Sequence, residues 1–547
     1  MSPGLLSAGL GSVPAEQTYL DITQGNRVFD SLYDSALPEV KVPVNRPVRD
    51  AAVLRRAESA PADIVPGLLA VTLAERGRTF GARDASLGQL RGVVAGLRPG
   101  DLLIAIERPP PGRNRELAIG IAGKGFDGNL TSDSTRLDGY VLSTDVAPTI
   151  LDWFGLEAPT QMSGQPIHGE GEVDAAAVAA LGARMAVISE RRGPVVGLSL
   201  LAWVLALGLA IAITRGAAAR VGVQLAGLAV VYLPLVLLAA AAAEPGETME
   251  MLMAMLGAPA LALLTLIVLD GYRAPAVGSG LTVAAYAVDV IAGSPLTSLS
   301  LLGPNPGLGV RFYGIGNELE ALLAVLIVAG TGAGLAGFAP RLSPRGCASA
   351  FLGVGLPLAF VFAAGRFGAD VGAAIVFPVG AAVAAAVIAA RRRRAALAIV
   401  VLPFAVVALL ALLDLVTGAN AHHTRSVLDA GGLGDLGDVA QRRLQLSAHS
   451  FTRPIVFVFL PLIVALVALA VARRERLQAW LRPYPAMRAG LLGAVAATIV
   501  GTLANDSGAL LLEIGAAYLL VFVGFAWARA GQSPSPQTKS YASVHHM

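Results

Sequence analysis

One cysteine, Cys347, stands in a chain of 547 residues, so no intrachain disulfide is possible, and six histidines provide no Cys/His framework for a structural metal. Charge is scarce too. Asp, Glu, Lys and Arg make up 14% of the chain, where soluble proteins carry roughly a quarter. These shortages exclude an ordinary soluble enzyme. What fills the space is apolar: 55% of residues are hydrophobic and mean hydropathy is +0.66. The charge that exists is uneven, with about 42 of the charged residues in positions 1–193. That region nets about −4 and the remainder about +7, so the formal +3 sums two unlike parts and indicates no nucleic-acid partner.

About 20 consecutive apolar residues span a bilayer core as a helix. Eleven such runs are expected, near 194–214, 221–243, 249–269, 274–292, 317–338, 347–364, 371–390, 395–414, 454–472, 488–505 and 508–527. Lys and Arg collect in cytoplasmic loops. One set of alternate loops holds Arg215, Arg220, Arg273, Arg341, Arg345, Arg391 to Arg394, Arg473, Arg474, Arg476, Arg482 and Arg488. The other holds only Arg311, Arg366, Arg425, Arg442, Arg443 and Arg453. The C-terminus is therefore expected in the cytoplasm and residues 1–193 outside. An outside domain needs an export signal, and MSPGLLSAGLGSVPAEQ has neither a basic start nor an adequate apolar core. The preferred explanation is a start further upstream with a signal-anchor helix; the rival is an even span count with a cytoplasmic N-terminal domain. The tail 529–547 is rich in Ser, Pro and Gln and is expected to be disordered.

Residues 1–193 read as mixed α/β. PGLLAVTLAERG (66–77) has helical spacing, while DLLIAIE (101–107) and ELAIGIAG (116–123) are apolar runs typical of buried strands. TDVAPTILDWFG (144–155) opens a helix that Thr144 or Asp145 can cap, with Pro148 in its first turn and Gly155 ending it. The run STRLDGYVLSTDVAPTILDWFGLEAPTQMSGQPI (134–167) resembles the C-terminal segment of the alkaline phosphatase and sulfatase superfamily. That resemblance implies an ester-cleaving fold with two metals and a Thr, Ser or Cys nucleophile. The metal chemistry needs clustered Asp and His, yet His168 is the only histidine in this region and no Asp-Gly strand end precedes a nucleophile. The expected domain is a degenerate phosphatase-like one, serving as a lid, binding module or assembly surface.

Charges in or beside spanning helices are costly and mark function. Asp289, Arg311, Glu318, Glu320, Arg366, Asp370, Asp414, Asp506 and Glu513 all fall toward the end of the spans assigned to the outside. The stretch LLGPNPGLGVRFYGIGNELEALL (301–323) combines helix-breaking Pro304 and Pro306 with Arg311, Phe312 and Tyr313, before Asn317 can cap a helix carrying Glu318 and Glu320. It reads either as a re-entrant binding loop or as an interfacial loop with a tyrosine anchor. Its GVRFYGIGNE segment resembles a motif of uncharacterised polytopic bacterial envelope proteins that carry a phosphatase-like extracytoplasmic domain. The loop 415–453, with His422, His423 and His449, reads as a surface amphipathic helix or a solvated loop, with no metal assigned. GAGLAG (332–337) lies inside a span, where helix packing explains it better than a dinucleotide.

The expected architecture is an α-helical polytopic membrane protein of about eleven spans: an N-terminal α/β alkaline-phosphatase-like domain (1–193), a transmembrane domain (194–528) and a tail (529–547). Three functions compete. One is a bacterial plasma-membrane enzyme of envelope biogenesis, similar in architecture to phosphoethanolamine-type transferases. It would act on a lipid-linked glycan or phospho-headgroup at the outer leaflet, with Glu318, Glu320 or Asp370 as base or metal ligand. Arg311, Tyr313, Asn317, Arg366, Asp289 and Asp506 would then contact substrate. The second is a transporter or flippase of envelope precursors, disfavoured by the lack of a mid-span ionisable residue. The third is a scaffold that recruits an envelope enzyme. The expected partners are membrane lipids or a lipid-linked precursor, with no nucleic acid, and the cofactor is left unknown.

Overall fold

The computed structural model describes residues 1–27, 64–214, 216–390, 401, 405, 445, 447–454 and 456–530. The expected span 395–414 apart from residues 401 and 405, the run Arg391 to Arg394, Asp414, His422, His423, Arg425, Arg442, Arg443 and the tail from 531 lie outside the described residues. Contacts divide the chain into two compact units. The first comprises Met1–Ser189 with Pro304–Tyr313, and the second Glu190–Gly303 with Gly314–Met547.

The first unit follows the order β1 (Ser2–Ser7), β2 (Val13–Pro14), α1 (Ala15–Gln24), α2 (Leu68–Glu75), α3 (Leu87–Ala95), β3 (Leu103–Ile106), β4 (Arg113–Asn114), β5 (Glu116–Ala122), β6 (Asn129–Ser132), β7 (Tyr140–Leu142), α4 (Val146–Trp153) and β8 (Ile167–Glu170). Its main sheet is four-stranded and mixed, ordered β3-β5-β1-β7. β1 runs antiparallel to β5, pairing Ser2 with Ile121 and Ser7 with Glu116, and parallel to β7. Both faces of β1 are covered, so Leu6, Ile119, Ile121, Leu130 and Val141 form a core with Leu69 and Leu73 of α2 and Val146, Ile150 and Leu151 of α4. Three sequence features locate the elements: the apolar run of β5, the Ser86–Gln89 capping box of α3 and Gly155, whose φ of 66° stops the helical segment after α4. The N-terminal SPGLLS, read from sequence only for export signals, is a central strand.

A long helix, α5 (Ala175–Ile213), gives its first residues, to Ser189, to this unit and the rest to the second. The second unit continues with α6 (Ala217–Ala243), α7 (Glu247–Val268), α8 (Arg273–Ile291), the short α9 (Pro295–Leu299), α10 (Asn317–Phe338), α11 (Pro344–Ala363), α12 (Val371–Ile388), α13 (Val456–Ala472), α14 (Arg474–Leu481), α15 (Pro485–Ala504) and α16 (Gly508–Ala530). Among the described residues nine helices are long and apolar enough to cross a membrane. The bent pair α13–α14, at 73°, makes a tenth if it is one span. Large apolar side chains stand exposed on α5 (Leu201, Val204, Leu205, Leu209) and on α13 (Phe457, Val458, Leu462). Water would penalise that surface, whereas lipid accepts it. The chain is an integral, multi-pass membrane protein.

Among the described spans helix α10 is the most enclosed, with 72% of its apolar window buried. It packs against α15 backbone to backbone: a Cβ at Gly490 would lie 3.0 Å from the Gly332 Cα and 3.0 Å from the Val328 carbonyl oxygen. Gly493 of α15 comes equally close to α12, where its Cβ would lie 2.4 Å from the Gly380 carbonyl oxygen. Small residues permit this approach in lipid, where no hydrophobic effect drives helices together. Gly493→Ala should therefore lower the thermal unfolding temperature of the detergent-purified protein, at a cost of about 1–3 kcal/mol. Gly353→Ala, with no atom within 4 Å of the added carbon, should leave it unchanged or raise it.

Candidate functional site

The sequence NELE places two carboxylates in the first turn of α10, where the free N–H groups and the helix dipole favour negative charge. Gly316, not Asn317, is the N-cap, and its backbone is extended. Two residues earlier Gly314 has φ of 77°, and a Cβ there would meet the Gly368 carbonyl oxygen at 2.0 Å. Glycine is required, and the close approach holds the entry to α10 against the turn that leads into α12. The Ile315 N–H donates to the same carbonyl at 3.1 Å.

Glu320 is fully buried. Its Oε2 accepts a hydrogen bond from Asn505 Nδ2 at 2.7 Å, in the turn between α15 and α16. A Cβ at Gly372 would lie 2.4–2.7 Å from the same carboxylate, which thus occupies the space of the missing side chain in the first turn of α12. Asn505 Nδ2 also reaches Asn317 Oδ1 at 3.2 Å, and Asn317 Nδ2 donates to the exposed Asp506 at 3.2 Å. At the rim Glu318 accepts from Arg192 at 3.2 Å, each side chain a little over a quarter exposed, and Arg192 also donates to the Gly303 carbonyl. The cluster therefore holds two carboxylates, Glu320 and Asp506, joined through two amides, with the Glu318–Arg192 pair on another face of the same helical turn. It suits a ligand rich in donors, and Glu320 can accept a proton from a bound hydroxyl.

Of the residues singled out from sequence, Asn317, Glu320 and Asp506 converge here, and Glu318 pairs separately with Arg192. Asp370 is buried at the N-cap position of α12, without a side-chain cap hydrogen bond. Asp289 does different work: its carboxylate accepts the backbone N–H groups of Leu296 and Thr297, at 3.1 and 2.7 Å, and braces the start of α9. Arg366 is exposed and stacks on the neighbouring Phe367 ring, 5.3 Å from its centroid. Arg311 and Tyr313 belong to the first unit and Arg366 to the second. Segment 304–313 finds partners within its own unit. The Gly11 N–H donates to the Leu308 carbonyl at 2.8 Å, the Tyr140 hydroxyl to the Pro306 carbonyl at 3.3 Å, and Arg27 to the Gly309 carbonyl. Arg136 lies over the Tyr313 ring at 4.4 Å. Sequence inspection missed Arg192, Asn505 and Gly372. Asn505 was findable as the amide beside Asp506 in a short hairpin between spans; Gly372 acts through what it lacks.

In the first unit Asp145 departs from its expected role. Its carboxylate makes no cap hydrogen bond to α4 and is fully buried. It accepts from the Ser132 and Ser134 hydroxyls, both at 2.6 Å, and from the Gln165 and Leu142 N–H groups at 2.9 and 3.0 Å. Burial raises its pKa against the pull of those four donors. His168 lies exposed on β8, and no three His, Cys, Asp or Glu side chains converge to hold a metal among the described residues. The two-metal site implied by the phosphatase resemblance does not fit these residues: Asp145, the aspartate of the DVAPT run, is engaged by hydroxyl and amide donors. Comparisons with protein-family models, curated proteins and solved structures each find no match for this chain.

Glu116, at the start of β5, lies against the Gly307 backbone, and burial pushes its pKa up to about 7, partly offset by Arg115. A raised carboxyl pKa means the folded unit favours the neutral form. The stabilisation is complete below the unfolded value, about 4.3, and is lost as pH rises through about 7. Melting followed by a probe on the first unit should fall between about pH 5 and about pH 8, and Glu116→Gln should flatten that slope.

Proposed function

We propose that this chain is a bacterial plasma-membrane protein of cell-envelope biogenesis that binds a lipid-linked glycan or phospho-headgroup at the outer leaflet. The observation that carries this is the buried Glu320 carboxylate, seated in the Gly372 gap at the start of α12 and held by Asn505, with the Glu318–Arg192 pair on the same first turn of α10. Glu320 receives a substrate hydroxyl or its proton, Asn317 and Asp506 accept neighbouring hydroxyls, and the Glu318–Arg192 pair opens to admit an anionic group. The basic-loop asymmetry and the phosphatase-like run at 134–167 support an extracytoplasmic, non-catalytic N-terminal domain and a cytoplasmic C-terminus. A transporter is the weaker reading because Glu320 is only the fourth residue of its helix, far from mid-span. A scaffold role is weaker still, since it needs no buried carboxylate.

The test is retention of polyprenyl phosphate and polyprenyl-phosphate-linked sugar by protein in nanodiscs, followed by native mass spectrometry. Glu320→Gln and Gly372→Ala should each weaken retention about tenfold, the loss of one charge-assisted hydrogen bond, while Asp289→Asn changes stability alone. Unchanged retention in both variants removes the site from the reading, and gradient-dependent uptake into vesicles replaces it with transport. Orientation is checked by replacing Cys347 with Ser and the exposed Glu172 with Cys. A membrane-impermeant maleimide should label intact cells; labelling only after lysis would turn the cluster toward the cytoplasm.

A further inference from the structure

The first unit holds a second polar cluster that the membrane site does not use. Helix α1, AEQTYLDITQ, has no apolar stripe of the usual kind. Gln17, Asp21 and Gln24 fall on one face at i, i+4 and i+7, flanked by Thr18, and each of the four is only 1% exposed. Buried polar atoms in native proteins are almost always paired. Here Gln17 Oε1, Thr18 Oγ1, Gln24 Oε1 and Arg27 Nη2 are buried without a hydrogen-bond partner among the described residues. Each orphan is one end of a group whose other atoms are engaged or, for threonine, of a lone hydroxyl. Gln17 Nε2 donates to Asp21 at 2.8 Å, Gln24 Nε2 to the Asn26 carbonyl at 3.3 Å, and Arg27 Nη1 to the Gly309 carbonyl while its guanidinium lies 5.2 Å over the Phe312 ring.

We propose that this face of α1 is a binding site for the hydroxyl groups of a sugar or polyol. The unmet atoms are two amide oxygens that accept, a hydroxyl that does both, and one guanidinium N–H that donates. A free anion would satisfy Arg27 alone and face the Asp21 carboxylate. An ammonium group would satisfy the oxygens and leave Arg27 unmet. Adjacent hydroxyls each donate and accept, so a sugar ring or polyol chain that carries several of them matches this mixture of acceptors and donor along the helix, and the opposite charges of Asp21 and Arg27 ask for no net charge on the ligand. The site is independent of the Glu320 cluster and stands or falls without it.

The experiment is saturation-transfer NMR on the full chain in nanodiscs, with N-acetylglucosamine, galactose, mannose, arabinose and myo-inositol as probes and inorganic phosphate as competitor. At least one saccharide or inositol should receive saturation, phosphate should not displace it, and Gln24→Leu and Thr18→Val should each reduce binding tenfold or more. Both changes remove a buried orphan, so melting temperature should hold or rise. Thr18→Val is nearly isosteric and carries the test where Gln24→Leu fails to fold. Absence of transfer from every probe overturns the proposal, as does displacement by phosphate or transfer that survives Thr18→Val. A fall in melting temperature on Thr18→Val does the same, because it would mean the hydroxyl already has its partner within the fold.

Discussion

In lipid, helices gain nothing by hiding apolar surface from one another, so whatever holds them together must come from contact at short range. The approach of α10 to α15, and of α15 to α12, is that contact. Gly332, Gly490, Gly493 and Gly380 bring the three backbones together, and the ends of those helices inherit their spacing. The entry to α10, the first turn of α12 and the Asn505 turn are thereby fixed close enough for one carboxylate to reach both neighbours. Glu320 can be buried because the helix it leans on carries a glycine in its first turn and presents the positive end of its dipole.

The same economy appears where α9 gives way to α10. Ten residues, Pro304 to Tyr313, leave the helical unit and complete the α/β one, where they find partners in the loop after β1, on β7 and among the residues after α1. Backbone polar groups in an irregular segment need partners, and here protein supplies them in place of water. Glu116 beneath Gly307 makes that seat sensitive to ionisation.

Much of the helical unit was legible in the sequence because the signal is long: apolar runs near 20 residues, broken by arginine, leave little choice. Ten of the eleven expected runs fall on described helices, one of them the bent α13–α14 pair. The strands β3 and β5 were legible as short apolar runs, but β1 was not. SPGLLS contains proline and glycine, and its burial depends on pairing with residues more than a hundred positions away. The carboxylates of the site stood out by their rarity among apolar neighbours. Their partners did not: Arg192 reads as one more charge at the edge of a soluble region, and Gly372 contributes an empty space. Asp145 fits the position of a helix cap, and only the fold reveals that Ser132 and Ser134 claim it.

The discontinuity of the first unit also sets an order of events during synthesis. When Ser189 leaves the ribosome, the strands of the main sheet have all been made, but the loop after β1 still lacks Leu308 and Tyr140 still lacks Pro306. More than a hundred residues of apolar helix must be made first, a wait on the order of ten seconds at about 5–20 residues per second. Until then the nascent domain exposes the seat that residues 304–313 will fill, so it is a client for chaperones on whichever side of the membrane it emerges. A polypeptide cut after residue 193 would remain in that waiting state permanently.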